Sequence, residues 1–156
     1  MLKIKIIVVD RTRSPFLKQG ESFYLDRLRK YANAEWVEVK PVRITQGKSV
    51  EDILEAEGKS IAKRFVQREY NVALDRSGKV YDSEGLAARI EQLSFKNSSL
   101  TFVIGGPLGL SKGILGSANE VFSLSKLTLT HEMSRLFLLE QLYRSFTIIN
   151  NERYHK

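Results

Sequence analysis

Short apolar runs alternate with longer amphipathic segments along the whole chain. The runs Leu2–Val9, Trp36–Lys40, Asn71–Leu74, Leu100–Ile104 and Val121–Leu124 are rich in β-branched and aromatic residues. Near-continuous apolarity over so few residues is what a parallel strand buried on both faces requires. Between these runs the period lengthens. Ser14-Pro15 supplies an N-cap and a proline at the first helical position, after which Leu17, Tyr24, Leu28 and Tyr31 share a face. Ser49, with Asp52 three residues on, resembles a capping box and opens a helix carrying Ile53, Leu54, Ile61 and Phe65. Gly58 falls inside that helix, where it costs about 1 kcal/mol relative to alanine, for no reason visible in the sequence. Asp82 or Ser83 caps a third helix, with Leu86, Ile90 and Leu93 at i, i+4 and i+7. Thr130 opens the last, which carries Met133, Leu136, Phe137, Leu139, Leu142, Tyr143 and Phe146. Arg135, Glu140 and Arg144 are assigned to its polar side, with Glu140 and Arg144 as a favourable i,i+4 pair.

Strand and helix alternating in this way predict an α/β protein, a mainly parallel sheet sandwiched by helices. No repeat, low-complexity tract or long linker divides the 156 residues, so the expectation is a single domain over 1–156. The basic loop Pro41–Lys48 joins a strand to a helix. No stretch approaches the ~20 apolar residues of a membrane span. The first nine residues mix lysines into a β-branched run and read as a strand rather than a leader. With no cysteine there is no disulfide, thiol nucleophile or thiolate metal site, and with two histidines no metal centre is expected. A cytoplasmic location follows.

Charge changes the picture. The net charge is +7, and residues 1–48 hold 11 Lys and Arg against 5 Asp and Glu, a net +6 in the first third. A basic surface attracts polyanions, RNA above all, although a solvated basic face has the same composition.

Three segments could carry chemistry. In Phe102-Val103-Ile104-Gly105-Gly106-Pro107-Leu108-Gly109-Leu110-Ser111 a strand ends at a double glycine and turns toward a helix near Ser111. Ligands of α/β sheets bind at the carboxyl ends of strands, and glycine lets backbone groups approach them. An ordinary tight turn would look the same, and neither a dinucleotide fingerprint nor a P-loop is present. The segment Ser123-Leu124-Ser125-Lys126-Leu127-Thr128-Leu129-Thr130-His131 reads in isolation as an alternating strand with Leu124, Leu127 and Leu129 buried. His131, beside the N-cap, reads as structural. The tail Asn150-Asn151-Glu152-Arg153-Tyr154-His155-Lys156 concentrates an aromatic ring, an imidazole and two cations, a composition suited to stacking on a base and meeting phosphate.

Leu100–Gly109, Ser123–Leu129, Glu140-Gln141-Leu142-Tyr143-Arg144 and the closing Tyr154-His155-Lys156 together resemble the ribosomal RNA large-subunit methyltransferase H family, of the knotted SPOUT class. The resemblance spans the chain and is weakest over residues 10–50. Asp10 departs from it, standing where such proteins usually have glycine, and so does Leu108, where a polar residue is common. It implies a C-terminal trefoil knot, which no general topology rule would predict. It further implies a homodimer that methylates N3 of a pseudouridine in helix 69 of the large-subunit (23S) rRNA. The expected methyl donor is S-adenosyl-L-methionine (AdoMet), and the expected substrate is rRNA within the assembled ribosome. Cofactor contacts fall on Leu74, Gly105, Leu124, Ser125, Lys126, Leu127, Thr128 and Leu129. His155, Arg144 and Tyr154 are the expected catalytic residues, His155 assisting loss of the N3 proton. The apolar helix Glu132–Phe146 is the expected dimer surface. A non-enzymatic ribosome-associated RNA-binding protein is the alternative. A hydrolase finds no nucleophile–base pair.

Overall fold

The computed structural model describes all residues, Met1–Lys156. Five parallel strands form one sheet: β1 (Lys3–Val9), β2 (Asn33–Val39), β3 (Tyr70–Val80), β4 (Ser99–Ile104) and β5 (Glu120–Ser123), in the order β2-β1-β4-β3-β5. Side chains alternate across it. Ile4, Ile6 and Val8 of β1 face one way, with Phe102 of β4, into a core closed by α1 (Pro15–Leu28), α3 (Ser83–Lys96) and α5 (His131–Ile149). Ile7 and Val9 face the other, with Ala73 and Val103, against Ile61 of α2 (Val50–Ala62) and Ile114 of α4 (Lys112–Ser117). The expected sandwich is therefore present, with every strand parallel. No helix is long and apolar enough to cross a membrane.

Local details differ from the reading of the sequence in ways that have causes. β2 begins at Asn33, three residues early, because its backbone pairs with β1 from Lys3 onward whatever its side chains are. β3 runs on to Val80 through a register shift between Leu74 and Lys79, so residues 75–78 bulge from the ladder. Ser49 and Thr130 accept hydrogen bonds from Asp52 N and Met133 N, as capping requires. Asp82 rather than Ser83 caps α3. Ser14 makes no side-chain cap, and the amides of Arg13 and Ser14 instead donate to Glu132 Oε1, each at 3.0 Å. Gly58 now has its reason: a Cβ there would stand 2.7 Å from Ser111 Oγ, so glycine lets α2 lie against the cap of α4.

Two further expectations about the fold fail. The segment after Ser123 is not a strand with three buried leucines. β5 stops at Ser123, whose hydroxyl donates to Ser125 O at 3.0 Å, while Ser125 Oγ accepts from Leu127 N at 3.0 Å. These local bonds compete with a ladder and turn the chain, leaving Leu127 74% exposed. Arg135 is not on a polar face. It is fully buried, because α5 is enclosed between α1 and α3 and its first turns press on the sheet edge.

Candidate functional site

The carboxyl ends of β1, β3, β4 and β5 gather on one side of the sheet. The bulge within β3 and the loops after β4 and β5 meet the start of α5 around a cleft of about 390 Å³. One wall is the glycine turn Gly105–Gly109. Gly109 has φ +86° and donates its N–H to Gly106 O at 3.0 Å, and a Cβ on Gly105 would overlap the Gly109 carbonyl. The turn therefore closes tightly only with glycine at both positions. The opposite wall is the loop from Leu124 to Leu129. Leu74, the last residue of β3 before its register breaks, lies between them.

Of the eight expected cofactor residues, seven line this cleft: Leu74, Gly105, Leu124, Ser125, Leu127, Thr128 and Leu129. Lys126 does not. Its neighbours turn inward through the Ser125 hydroxyl bond, and Lys126 is left exposed on the outside of the turn. Asp75, Arg76 and Ser134, for which the sequence gives no signal, also line it, as does His131, which reads from the sequence as structural. The bulge in β3 is what brings the first two there, and a bulge leaves no periodic signal. Burial, reinforced by the charge of Arg135, pushes the His131 imidazole below its ordinary value, so it is neutral at pH 7.

Beneath the cleft lies a buried polar network. Arg135 donates through Nη2 to Val9 O at 2.6 Å and through Nη1 to Thr12 Oγ1 at 2.9 Å, and Thr12 donates to Glu21 Oε2 at 2.6 Å. Thr12 and Glu21 are themselves buried. Asp10, just above, has φ +70° and donates its N–H to Val39 O, and its carboxylate pairs with Arg13 at 2.9 Å. Glycine suits such a left-handed position best, and aspartate is among the side chains that tolerate it.

The three expected catalytic residues form a second cluster. Arg144 holds Glu140 Oε1 through Nε at 3.0 Å and Nη2 at 2.6 Å, and Nη1 meets His155 Nδ1 at 3.1 Å. The ring of Tyr154 lies 4.7 Å from the Arg144 guanidinium, and its hydroxyl donates to Glu140 Oε1 at 3.1 Å. Burial, with Tyr24 and Glu140 beside the hydroxyl, pushes the Tyr154 phenol up, so it is a neutral donor. Glu140 likewise raises Arg144 further above its ordinary value. The structure thus brings Tyr154, His155 and Arg144 together, but not beside the cleft of their own chain. Ser134 lines the cleft and Arg144 is ten positions along α5, roughly 15 Å at 1.5 Å per residue.

The fully parallel sheet, the glycine-walled cleft at its carboxyl edge and the cluster on the C-terminal helix are those of a chain of the SPOUT methyltransferase class. The family model described as "Predicted SPOUT methyltransferase" matches residues 2–155. A probable methylase family protein of Haemophilus influenzae shares the fold, with a TM-score of 0.60 at 14% identity, over 100% of this chain and 72% of the other. Proteins named ribosomal RNA large subunit methyltransferase H from Halothermothrix orenii and Thermotoga neapolitana are each 40% identical to this chain. The first covers 99% of this chain and 100% of its own length, the second 99% of each. The chain belongs to the ribosomal RNA large subunit methyltransferase H family.

Proposed function

We propose that the protein transfers a methyl group from AdoMet to N3 of a pseudouridine in helix 69 of large-subunit rRNA, as a cytoplasmic homodimer acting on the assembled ribosome. The observation that carries this reading is the cleft, whose lining includes seven of the positions at which the resemblance implies cofactor contacts. The residues fit such a ligand. Leu74 and Leu129 offer apolar walls for a flat heterocycle, and the glycine turn exposes backbone groups without Cβ atoms in the way. Bound AdoMet supplies a methyl group already activated for displacement. The chain's own task is then to hold donor and acceptor in line and to manage one proton. Tyr154 orients the target base by stacking, Arg144 meets its edge or a phosphate, and His155 takes the N3 proton.

The distance between the two clusters supports a dimer. With the tail about 15 Å along α5 from its own cleft, a two-fold partner can present Tyr154 and His155 to the other subunit's cofactor. Met133 and Phe137, on the exposed side of α5, are 38% and 37% exposed and suit a surface that a second copy covers. The C-terminal threading is proposed to be the trefoil knot of the SPOUT class. Titrating AdoMet into the protein in a calorimeter separates this reading from a non-enzymatic RNA-binding protein. One site per subunit is expected, and absence of heat with retained rRNA binding would favour the alternative.

A further inference from the structure

Resting on the cofactor reading of the cleft, we propose that Asp75 and Arg76 grip the two charges of the donor's amino-acid end, Arg76 its carboxylate and Asp75 its ammonium. Consecutive residues of a regular strand point to opposite faces. Here the register of β3 breaks after Leu74, and both side chains line the same cleft. Among the lining residues Arg76 carries the one permanent positive charge, since His131 is held neutral. Arg76 Nη1 donates to Thr128 Oγ1 at 2.9 Å, which aims the guanidinium at the cofactor loop and leaves four of its five N–H donors without a partner in the chain. Asp75 is fixed from behind. Its Oδ2 accepts from Ser77 N at 3.0 Å and Ser77 Oγ at 2.5 Å, while Oδ1 makes no hydrogen bond within the chain. An adjacent fork donor and free carboxylate oxygen match an α-amino acid zwitterion, and a planar guanidinium meets a carboxylate with two parallel bonds. The rest of the lining is apolar or uncharged polar and offers the zwitterion no other permanent charges.

The test is binding rather than turnover. Wild-type protein and Arg76→Gln are titrated with AdoMet and with decarboxylated AdoMet, which keeps the ammonium and sulfonium but lacks the carboxylate. Losing a charge-assisted pair should weaken AdoMet about 10- to 100-fold. Decarboxylated AdoMet should bind wild type and variant alike. Asp75→Asn should weaken both ligands while leaving 5′-methylthioadenosine, which lacks the amino-acid end, unaffected. Thermal melting checks that the variants fold. Equal AdoMet affinity in wild type and Arg76→Gln would overturn the assignment, and a fall in rRNA affinity alone would move Arg76 to a phosphate contact. Wild-type protein that binds methylthioadenosine but not AdoMet would overturn it too. A wild type that binds none of the three would instead sink the cofactor reading on which the proposal rests.

Discussion

Arg135 on α5 donates to the carbonyl of Val9, the last residue of β1, at 2.6 Å across 126 residues of sequence. The bond fastens the helix that carries His131 and Ser134 to the sheet edge beneath the glycine turn. A Cβ on Gly106 of that turn would stand 3.5 Å from Val9 Cγ1, in ordinary packing range. Arg135→Met would leave Glu21 buried without its nearby cation, and the Val9 and Thr12 oxygens without a donor. Breaking a buried charge network from one side costs about 3–5 kcal/mol. Urea unfolding should show a loss in that range, partly recovered when Glu21→Gln is added. A loss below about 1 kcal/mol would mean the network is not a brace.

Gly105 has no room for a side chain. In Gly105→Val the branched Cβ meets the Gly109 carbonyl, so the turn must open and the cleft lose its wall. AdoMet binding should fall below detection in a titration while the protein still melts cooperatively. Binding at parental affinity would place the cofactor elsewhere.

These two sites differ in how far they could be read from sequence. Gly105 was legible, because a double glycine after a buried strand is a local signal with a local cause. Arg135 was not. A charged residue on an amphipathic helix is normally solvated, and only its partners on β1 and the loop that follows it, far away in sequence, make its burial tolerable. The five strand cores and the caps at Ser49 and Thr130 follow from patterning, whereas the bulge that brings Asp75 and Arg76 into the cleft is a tertiary event. Gly58 is a defect within its own helix, and its reason lies in Ser111 at the start of the helix across from it.

Glu57 is buried, 5% exposed, with one hydrogen bond, accepted from Val42 N at 3.2 Å. Burial raises its carboxyl above the ordinary value. A group with a raised folded pKa contributes stability that is complete below its unfolded value, near 4.5, and is lost as pH rises through the folded one. Glu57→Gln mimics the protonated form, so its melting temperature should exceed wild type at pH 7 and match it at pH 4. A variant less stable at pH 7 would show that the ionised carboxylate is favoured where it sits.

Arg11, Arg13, Lys18 and Arg43 lie in the basic first third and are proposed to meet RNA phosphates. Arg13 already pairs with Asp10, but at 64% side-chain exposure the pair is weak. Replacing Arg11 and Arg13 with glutamine should reduce the slope of log affinity against log salt by about 1.4, at roughly 0.7 per phosphate on a single strand. AdoMet affinity should not change. An unchanged slope would make these charges a solvated face.

The tail rests on its own helix through Glu140, Arg144 and the Tyr143–Tyr154 ring pair, whose centroids are 4.7 Å apart. If it also completes a partner's site, His155→Ala should slow methylation about 10²–10⁴-fold. Removing Tyr154–Lys156 should do at least as much while sparing AdoMet affinity. Near-normal turnover by a folded, tail-less protein would leave the tail a structural role only.

The methylated nucleotide itself reports most directly on the proposed reaction. Large subunits and whole ribosomes lacking the modification are incubated with the protein and AdoMet carrying an isotopically labelled methyl group, and the rRNA is digested and read by mass spectrometry. The expected result is one labelled methyl on N3 of a pseudouridine in helix 69, formed faster on whole ribosomes. Label at another nucleotide, or none transferred by protein that binds AdoMet, would contradict it.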